Sequence, residues 1–438
     1  EIRYTPLEDI PGFVQHSSQA ALAFRHSMPH ERRMLLNNLA TQIENDAANL
    51  ASLICEEMGK TIREASNEVR RAQNTLRLAG DAATFLDGET MHCGIVTGGV
   101  DRQAVVTYTP VGVVAAITPF NYPLNLLCHK LGPAIAAGNA IIAKPSPKAP
   151  LTATRLCQLA HKAGFPKDLF QIIHGGADQA VVLAQSPINL LSFTGGPEAG
   201  LALKRASNLV RCLMELGGND PLFVMPDADI PAAVKTAVAQ RFEIAGQSCA
   251  AVKKLYLHQD IKQVFIDQLL PAIAALKVGD PRAADTDMGP VIDEAAAQEV
   301  CRRIGHAAQN GAQILAGGNR EGALIEPTVI KDVDPASELM AKETFGPVIS
   351  IRSFSNLDTA VQEINNTNFG LQAGIYTNNH SVIRQFSRQI QVGGVMINEG
   401  PDFRAEHVPF GGIKGSGLGR EGVRITLREM SEAKVVID

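Results

Sequence analysis

At 438 residues the chain exceeds what one hydrophobic core usually organises, so two large domains are expected, with no need of disulfide staples. Lys and Arg total 40 against 45 Asp and Glu, a formal net charge of −5, so no basic excess exists to hold nucleic acid or a membrane surface, and a small-molecule partner is expected. Cys55, Cys93, Cys128, Cys157, Cys212, Cys249 and Cys301 are odd in number and form neither C-x-x-C pairs nor Cys/His groups at zinc spacing, which points to no metal and to a reducing, cytoplasmic compartment.

Residues 29–86 read as helices, with apolar residues recurring three or four apart between charges, as in Leu35, Leu36, Leu39, Ile43 and Leu50. A protruding hairpin is expected near 86–110, because 103–109 is rich in β-branched residues and closes at Pro110. Short apolar runs at 111–117, 140–143, 171–174 and 190–193 then alternate with helix-like stretches, and the alternation restarts after Gly217 with 221–225 and 254–257. Strands alternating with helices imply parallel pairing, hence an α/β chain of two doubly wound units meeting near Gly217. Residues 434–438 read as an added strand. The longest apolar stretches, such as 111–117 and 134–143, are too short to cross a bilayer. The sequence opens on Glu-Ile-Arg without Met, so a leading segment is expected to precede it.

Three short segments carry reactive groups. Cys249 lies in Ala-Gly-Gln-Ser-Cys-Ala-Ala (245–251), where small neighbours let a ligand approach the sulfur, although a free cysteine read alone is more often a small buried hydrophobe. Glu215 stands in Met-Glu-Leu-Gly-Gly-Asn (214–219), beside apolar residues that would raise its pKa and suit it to act as a base; capping or pointing to solvent is the ordinary role. Asn121, between prolines in Thr-Pro-Phe-Asn-Tyr-Pro (118–123), can aim an amide at a developing oxyanion or simply form a turn. Gly195 to Gly200 has the spacing G-x-x-x-x-G without the Lys-Ser/Thr of a phosphate-binding P-loop, and it follows a buried run and precedes a helix, so its N–H groups can face a pyrophosphate.

Together with Ala-Lys-Pro-Ser (143–146), Phe-Thr-Gly-Gly-Pro-Glu-Ala-Gly (193–200), Lys-Glu-Thr-Phe-Gly-Pro (342–347) and Pro-Phe-Gly-Gly-Ile-Lys-Gly-Ser-Gly (409–417), these segments occur in the order that resembles the aldehyde dehydrogenase superfamily over essentially the whole chain. The resemblance implies Cys249 as nucleophile, Asn121 and the Cys249 N–H as oxyanion hole, and Glu215 as the base that activates water on a thioester. It also implies an NAD or NADP site in which Lys144 bonds the adenine-side ribose, Glu343 holds the nicotinamide-side ribose and Phe345 lies against that end, with Ser146, Thr194, Gly195, Gly200 and Gly217 around the coenzyme. The implied layout is a nucleotide-binding domain (1–85 and 111–217), a catalytic domain (218–425) and an oligomerisation segment (86–110 and 426–438) that joins a homodimer or homotetramer.

Members strict for NAD often place Glu three residues after the position of Lys144; here Pro147 stands there, followed by Lys148, so either coenzyme is expected to be accepted. The chain has no Trp, and His129, Arg404, Arg70 or Arg71, and Phe410 fall at positions that the resemblance places around the substrate tunnel. Cationic groups at one entrance favour a short, polar, anionic or hydroxylated aldehyde, unless the arginines pair with Asp402, Glu406 or Glu68. The surrounding residues resemble a branch acting on lactaldehyde, glyceraldehyde 3-phosphate and phosphonoacetaldehyde, with succinate semialdehyde also open. Ser248 before the nucleophile, where phosphate-binding members often carry Arg, weakens the phosphorylated options. A non-enzymatic binding relative and an acyl-phosphate reductase are the competing readings, and both tend to lack one of Cys249 and Glu215 in this setting.

Overall fold

Strands covered on both faces need unbroken apolar runs, and the first such run, Val113–Ile117, is buried along its whole length at the middle of a six-stranded sheet. A computed structural model describes residues 2–438. The strand order is Gly417–Leu418, Arg211–Glu215, Leu190–Thr194, Val113–Ile117, Ala140–Lys144, Phe170–Ile172, parallel throughout except for the first pair. From Val113–Ile117 the chain winds outward in one direction, then returns to Leu190–Thr194 on the other side. That reversal opens a crevice beyond the carboxyl ends of these two strands, the usual ligand position in such sheets.

A second sheet has seven strands in the order Gln313–Ala316, Thr328–Lys331, Val348–Phe354, Lys254–His258, Pro221–Val224, Gln372–Tyr376, Gly394–Ile397. Only the Gln313–Ala316 pair is antiparallel. Each sheet has its own apolar core, one gathered around Val114, Ile141 and Leu191, the other around Leu222, Leu255 and Ile349. A third, antiparallel sheet joins Glu89–His92, Gln103–Pro110 and Ser431–Ile437, the hairpin and added strand anticipated from the sequence.

Two features depart from the sequence reading. Helix Ile10–Phe24 precedes the first anticipated helix; its Pro11-Gly12 opening reads as a breaker, yet Pro is tolerated in a first turn where its missing N–H costs nothing. The segment 218–425 is also too long at its end for one unit: Gly417–Leu418 pairs with Met214 and Glu215 of the first sheet, and Val423 and Leu427 pack in the first core.

Helix Ile62–Ala82 anchors the loops beside the crevice. Thr61 and Glu64 form a reciprocal capping box at its start, readable in the sequence as T-x-x-E. One turn on, Glu68 is fully buried against Lys60 at 2.7 Å, and its other oxygen accepts the N–H groups of Leu124 and Asn125 at 2.9 and 3.0 Å. A carboxylate at the N-terminus of helix Asn125–Ala137 satisfies amides left free there and fixes the preceding turn that carries Asn121.

Candidate active site

The loop before Cys249 is bent into an unfavourable conformation. Ile244 and Ala245 have φ of 45° and 52°, and Gly246 follows at 73°. Left-handed backbone costs an L-residue about 1–2 kcal/mol, so the surroundings must hold it. They do so from three sides. Glu64 Oε1 accepts the Ile244 N–H at 2.7 Å. The Gln247 side chain donates to Ile244 O at 3.0 Å and accepts from Ile292 N at 2.9 Å. Lys253 Nζ donates to the carbonyls of Ser248 and Cys249 at 2.9 and 2.6 Å.

Cys249 emerges half-buried, packed beside Ala250, Leu371 and Phe410, on the wall of a cleft with about 1060 Å³ of empty space, part of it open to solvent. Burial pushes its thiol well above the ordinary range, the Lys253 ammonium opposing and Asp402, Glu343 and Asp220 adding to the rise. The sulfur is therefore protonated at neutral pH and needs a base. Asn121 and Glu215 line the same cleft. The Asn121 amide donates to Gln247 O at 2.8 Å, and since a carboxamide has two N–H donors, one remains. The Cys249 N–H makes no hydrogen bond among the described residues.

Glu215 ends strand Arg211–Glu215 beside Thr194 and Gly417, and its Oε2 is buried with no partner. Burial, then the neighbouring Glu421 carboxylate, raise its pKa well above the usual value, against Arg404, Lys130 and Arg420. Glu421 is held low despite its own burial, because Lys130 lies at 3.2 Å and Arg404 at 2.7 Å. Two acids facing one volume with pKa values pushed apart form the pattern of an acid–base site.

The residues assigned to a coenzyme divide between two cavities. Thr194, Gly195, Gly217, Glu343 and Phe345 line the main cleft with Gly196, the N-cap of helix Pro197–Ala206. Thr194 Oγ1 is buried without a partner, the helix start presents free amides, and Phe345 meets Phe120 edge-on at 6.2 Å. A methyl group on Gly217 would come within 2.1 Å of Glu343 Oε2, and one on Gly218 within 2.5 Å of Cys249 O, so the double glycine lets the two sheets' loops touch. Lys144 Nζ donates to Gly175 O at 2.6 Å beside a smaller cavity walled by Pro145, Pro147 and His174. Burial lowers this lysine to about 8. Half-buried Ser146 accepts the Lys148 N–H at 3.2 Å. Gly200 lies off the cleft: it seats its helix against Leu216, whose methyl would lie 2.6 Å from an added Cβ, so its part is packing and not ligand contact. The free amides, the orphaned hydroxyl and the desolvated lysine fit an anionic dinucleotide.

Of the residues placed at the substrate tunnel, Arg71, Arg404 and Phe410 line the cleft, and His129 and Arg70 do not. Successive helical residues diverge by about 100°, so Arg70 turns to an outer groove and donates to Asn67 Oδ1 at 2.7 Å. His129 is sealed behind the wall on a helix buried on every side, its Nε2 2.6 Å from Glu406 Oε2, and burial followed by the Arg404 charge lowers its pKa. The arginines are paired, as the competing reading held, although with a partly different acid set: Arg71 Nε meets Glu406 Oε1 at 2.7 Å, and Arg404 meets Glu421 and lies 4.3 Å over the Phe410 ring.

Lys253, Lys130 and Glu421 were not singled out in the sequence. Lys253, four residues after the thiol, and Lys130, a lone charge within an apolar helix next to His129, carried a usable signal. Glu421 carried none, since its neighbours come from distant parts of the chain.

A thiol and a carboxylate unpartnered among the described residues face one cleft, beside helix-terminal amides at a sheet's switch point, in an α/β chain with a dinucleotide-type crevice. The chain belongs to the aldehyde dehydrogenase family, whose model matches residues 1–436. It is similar to a sulfoacetaldehyde dehydrogenase of Neptuniibacter caesariensis, 38% identical over 100% of this chain and 96% of the relative. It is also similar to aspartate-semialdehyde dehydrogenase 1 of Pseudomonas canavaninivorans, 40% identical over 98% of this chain and 91% of that one. Among solved structures, a glyceraldehyde-3-phosphate dehydrogenase of Methanocaldococcus jannaschii complexed with NADP superposes with a TM-score of 0.96 at 33% identity, over 100% of this chain and 96% of its own.

Proposed function

We propose that the protein oxidises a short, polar aldehyde to its carboxylic acid with NAD or NADP, through a hemithioacetal and a thioester on Cys249. The observation that carries this reading is the meeting of Cys249, Glu215 and Asn121 on one cleft, with Glu215 Oε2 lacking any partner. The Cys249 sulfur adds to the carbonyl carbon, its proton leaving to a base, and the new oxyanion takes hydrogen bonds from the free Asn121 N–H and the Cys249 N–H. When bound, a nicotinamide coenzyme supplies the acceptor for the hydride that leaves the tetrahedral carbon. Glu215 then removes a proton from water as its oxygen attacks the thioester, and the carbon–sulfur bond breaks to release the acid and restore the thiol.

Thr194, Gly195 and Gly217 would hold the coenzyme's phosphates and near ribose with Glu343, and Phe345 its reactive end; Lys144 and Ser146 would hold the far ribose. The unit built on the six-stranded sheet is the coenzyme-binding part and the other carries the thiol. Relatives acting on sulfoacetaldehyde and aspartate semialdehyde support a short polar substrate. A non-enzymatic role and acyl-phosphate reduction are disfavoured by the thiol and the unpartnered base on one cleft. The cysteines are all free, which supports a reducing compartment, the cytoplasm, and no helix among the described residues is long and apolar enough to cross a membrane. Homodimers or homotetramers would form through the three-stranded sheet.

A panel of short aldehydes with each coenzyme, followed by absorbance of the reduced nicotinamide, tests the reading. Activity that disappears in Cys249→Ser supports it; an unaffected Cys249→Ser enzyme overturns it.

A further inference from the structure

Helix Ile230–Phe242 ends two residues before Ile244, where the strained turn to Cys249 begins, and its last turn carries two long polar side chains that no step above uses. Gln240 and Arg241 are adjacent, so they leave the helix about 100° apart and meet different parts of the molecule. Neither lines the cleft. Each reaches a loop that does.

Gln240 holds the loop that follows strand Gly394–Ile397. Its Oε1 accepts the Asp402 N–H at 2.9 Å, and its Nε2 donates to Glu399 Oε1 at 2.9 Å. A methyl group on Gly400, between those two partners, would come within 2.1 Å of Gln240 Oε1, so the backbone of 399–402 is wrapped closely on this one side chain. The same loop walls the cleft with Asp402 and Arg404. Asp402 Oδ1 accepts the Ser248 hydroxyl at 2.7 Å, one residue before the nucleophile, and Arg404 lies 4.3 Å over Phe410, which packs beside Cys249.

Arg241 serves the opposite side. It is fully buried, where a guanidinium is costly unless its donors are used. Its Nη2 donates to the carbonyls of Thr344, at 3.2 Å, and of Gly346, the residues on either side of Phe345. Its Nε and Nη1 have no partner among the described residues, so these two carbonyls are what the guanidinium holds. Arg303 grips the start of the same loop, its Nη1 donating to Glu343 O at 2.7 Å. That loop carries Glu343 and Phe345 to the cleft, where no part of the Gln240-held loop contributes to the coenzyme residues assigned above.

We propose that Gln240 and Arg241 are positioning residues that set aldehyde and coenzyme affinity separately, Gln240 through the loop bearing Asp402 and Arg404, and Arg241 through the loop bearing Glu343 and Phe345. The assignment rests on the oxidation reading above. One helix end thereby registers both ligands against the thiol that follows it in the chain.

The test is a crossed pair of variants, read by initial rates with the fastest aldehyde of the panel. Gln240→Ala is expected to raise the aldehyde KM about tenfold or more and to leave the coenzyme KM within about twofold. Arg241→Met is expected to do the reverse, with Arg241→Lys, which restores one charged donor, recovering part of the loss. Titration of the resting enzymes with NADPH and NADH, followed by coenzyme fluorescence, reads the same division without turnover: weaker binding in the Arg241 variants, wild-type binding in Gln240→Ala. If Arg241→Met fails to fold, Arg241→Lys decides its half alone, with an intermediate loss of coenzyme affinity expected. A variant that merely loosens the fold raises both constants together. A parallel rise of both constants in a folded variant, or no change in the constant assigned to it, overturns the proposal while leaving aldehyde oxidation intact. No reduced coenzyme from any aldehyde with the wild type overturns the oxidation reading itself, and the division between aldehyde and coenzyme with it.

Discussion

In the proposed hydrolysis Glu215 takes a proton from water and must be ionised when water attacks, yet burial and the neighbouring Glu421 charge hold it well above the ordinary carboxylate range. The ionised fraction therefore grows as pH rises, and thioester hydrolysis grows with it. A kcat profile with an ascending limb above the usual glutamate range is the expected outcome, read from steady-state rates across pH. In Glu215→Gln that limb should vanish and turnover should fall about 100-fold or more, while stopped-flow absorbance still shows a first burst of reduced coenzyme, because acylation of Cys249 precedes the step that needs the base. Position 147 carries a second residue-scale expectation. The Lys144 ammonium donates to Gly175 O on the wall of the smaller cavity, and Glu57, the carboxylate on that wall among the described residues, is committed to the amides of Leu151 and Thr152 at 2.6 and 2.9 Å. Pro147→Glu adds a negative charge where a ribose 2'-phosphate would lie, so the NADP-to-NAD ratio of kcat/KM should fall about tenfold or more, as read by initial rates with each coenzyme.

At the scale of single elements, the segment 244–246 shows how strain is located and held. An added methyl at Gly246 would meet Gly346 O at 2.4 Å, and its φ of +73° already lies where side chains are disfavoured. Gly246→Ala should cost about 1–2 kcal/mol from the backbone alone, lower the melting temperature, and slow alkylation of Cys249 by iodoacetamide, because the thiol rides on this loop. The same elements show what a linear reading can reach. The capping box of Thr61 and Glu64 is visible in the sequence because its partners are three residues apart. That Glu64 also uses its second oxygen to hold Ile244 N, 180 residues away, is not visible. His129 marks the limit in another way: the family resemblance placed it at the tunnel, but on a helix buried all round, a neighbouring position can face the interior and act only by orienting Glu406. The ordered motifs and the apolar runs were legible since each is local; the acid–base pairs around Glu215 were not, since Lys130, Arg404 and Glu421 reach it from separate elements.

For the whole molecule, the division into two sheets followed from alternating runs, while the return of 417–430 to the first sheet is set by an antiparallel edge pairing that leaves no periodic trace. The third sheet is the surface proposed above for assembly. Among the described residues, strand Ser431–Ile437 pairs only with Gln103–Pro110, so one of its edges is open, and Val435, Val436 and Ile437 are 55, 52 and 58% exposed, with Val105 beside them at 39%. An open apolar edge is costly in water and prone to pairing, and proteins that keep one usually cover it with another copy. Each fully covered aliphatic side chain contributes roughly 1.5–3 kcal/mol, so charges at two of these positions on one strand face should outweigh a modest interface. The double variant Val435→Asp with Ile437→Asp is therefore expected to sediment as a single chain of about the sequence mass of 46.7 kDa, against a dimer or tetramer for the wild type. The cleft lies on other elements, so the separated chains should still bind coenzyme, as measured by fluorescence of the reduced nicotinamide. Unchanged sedimentation of the double variant would place the assembly surface elsewhere on the molecule.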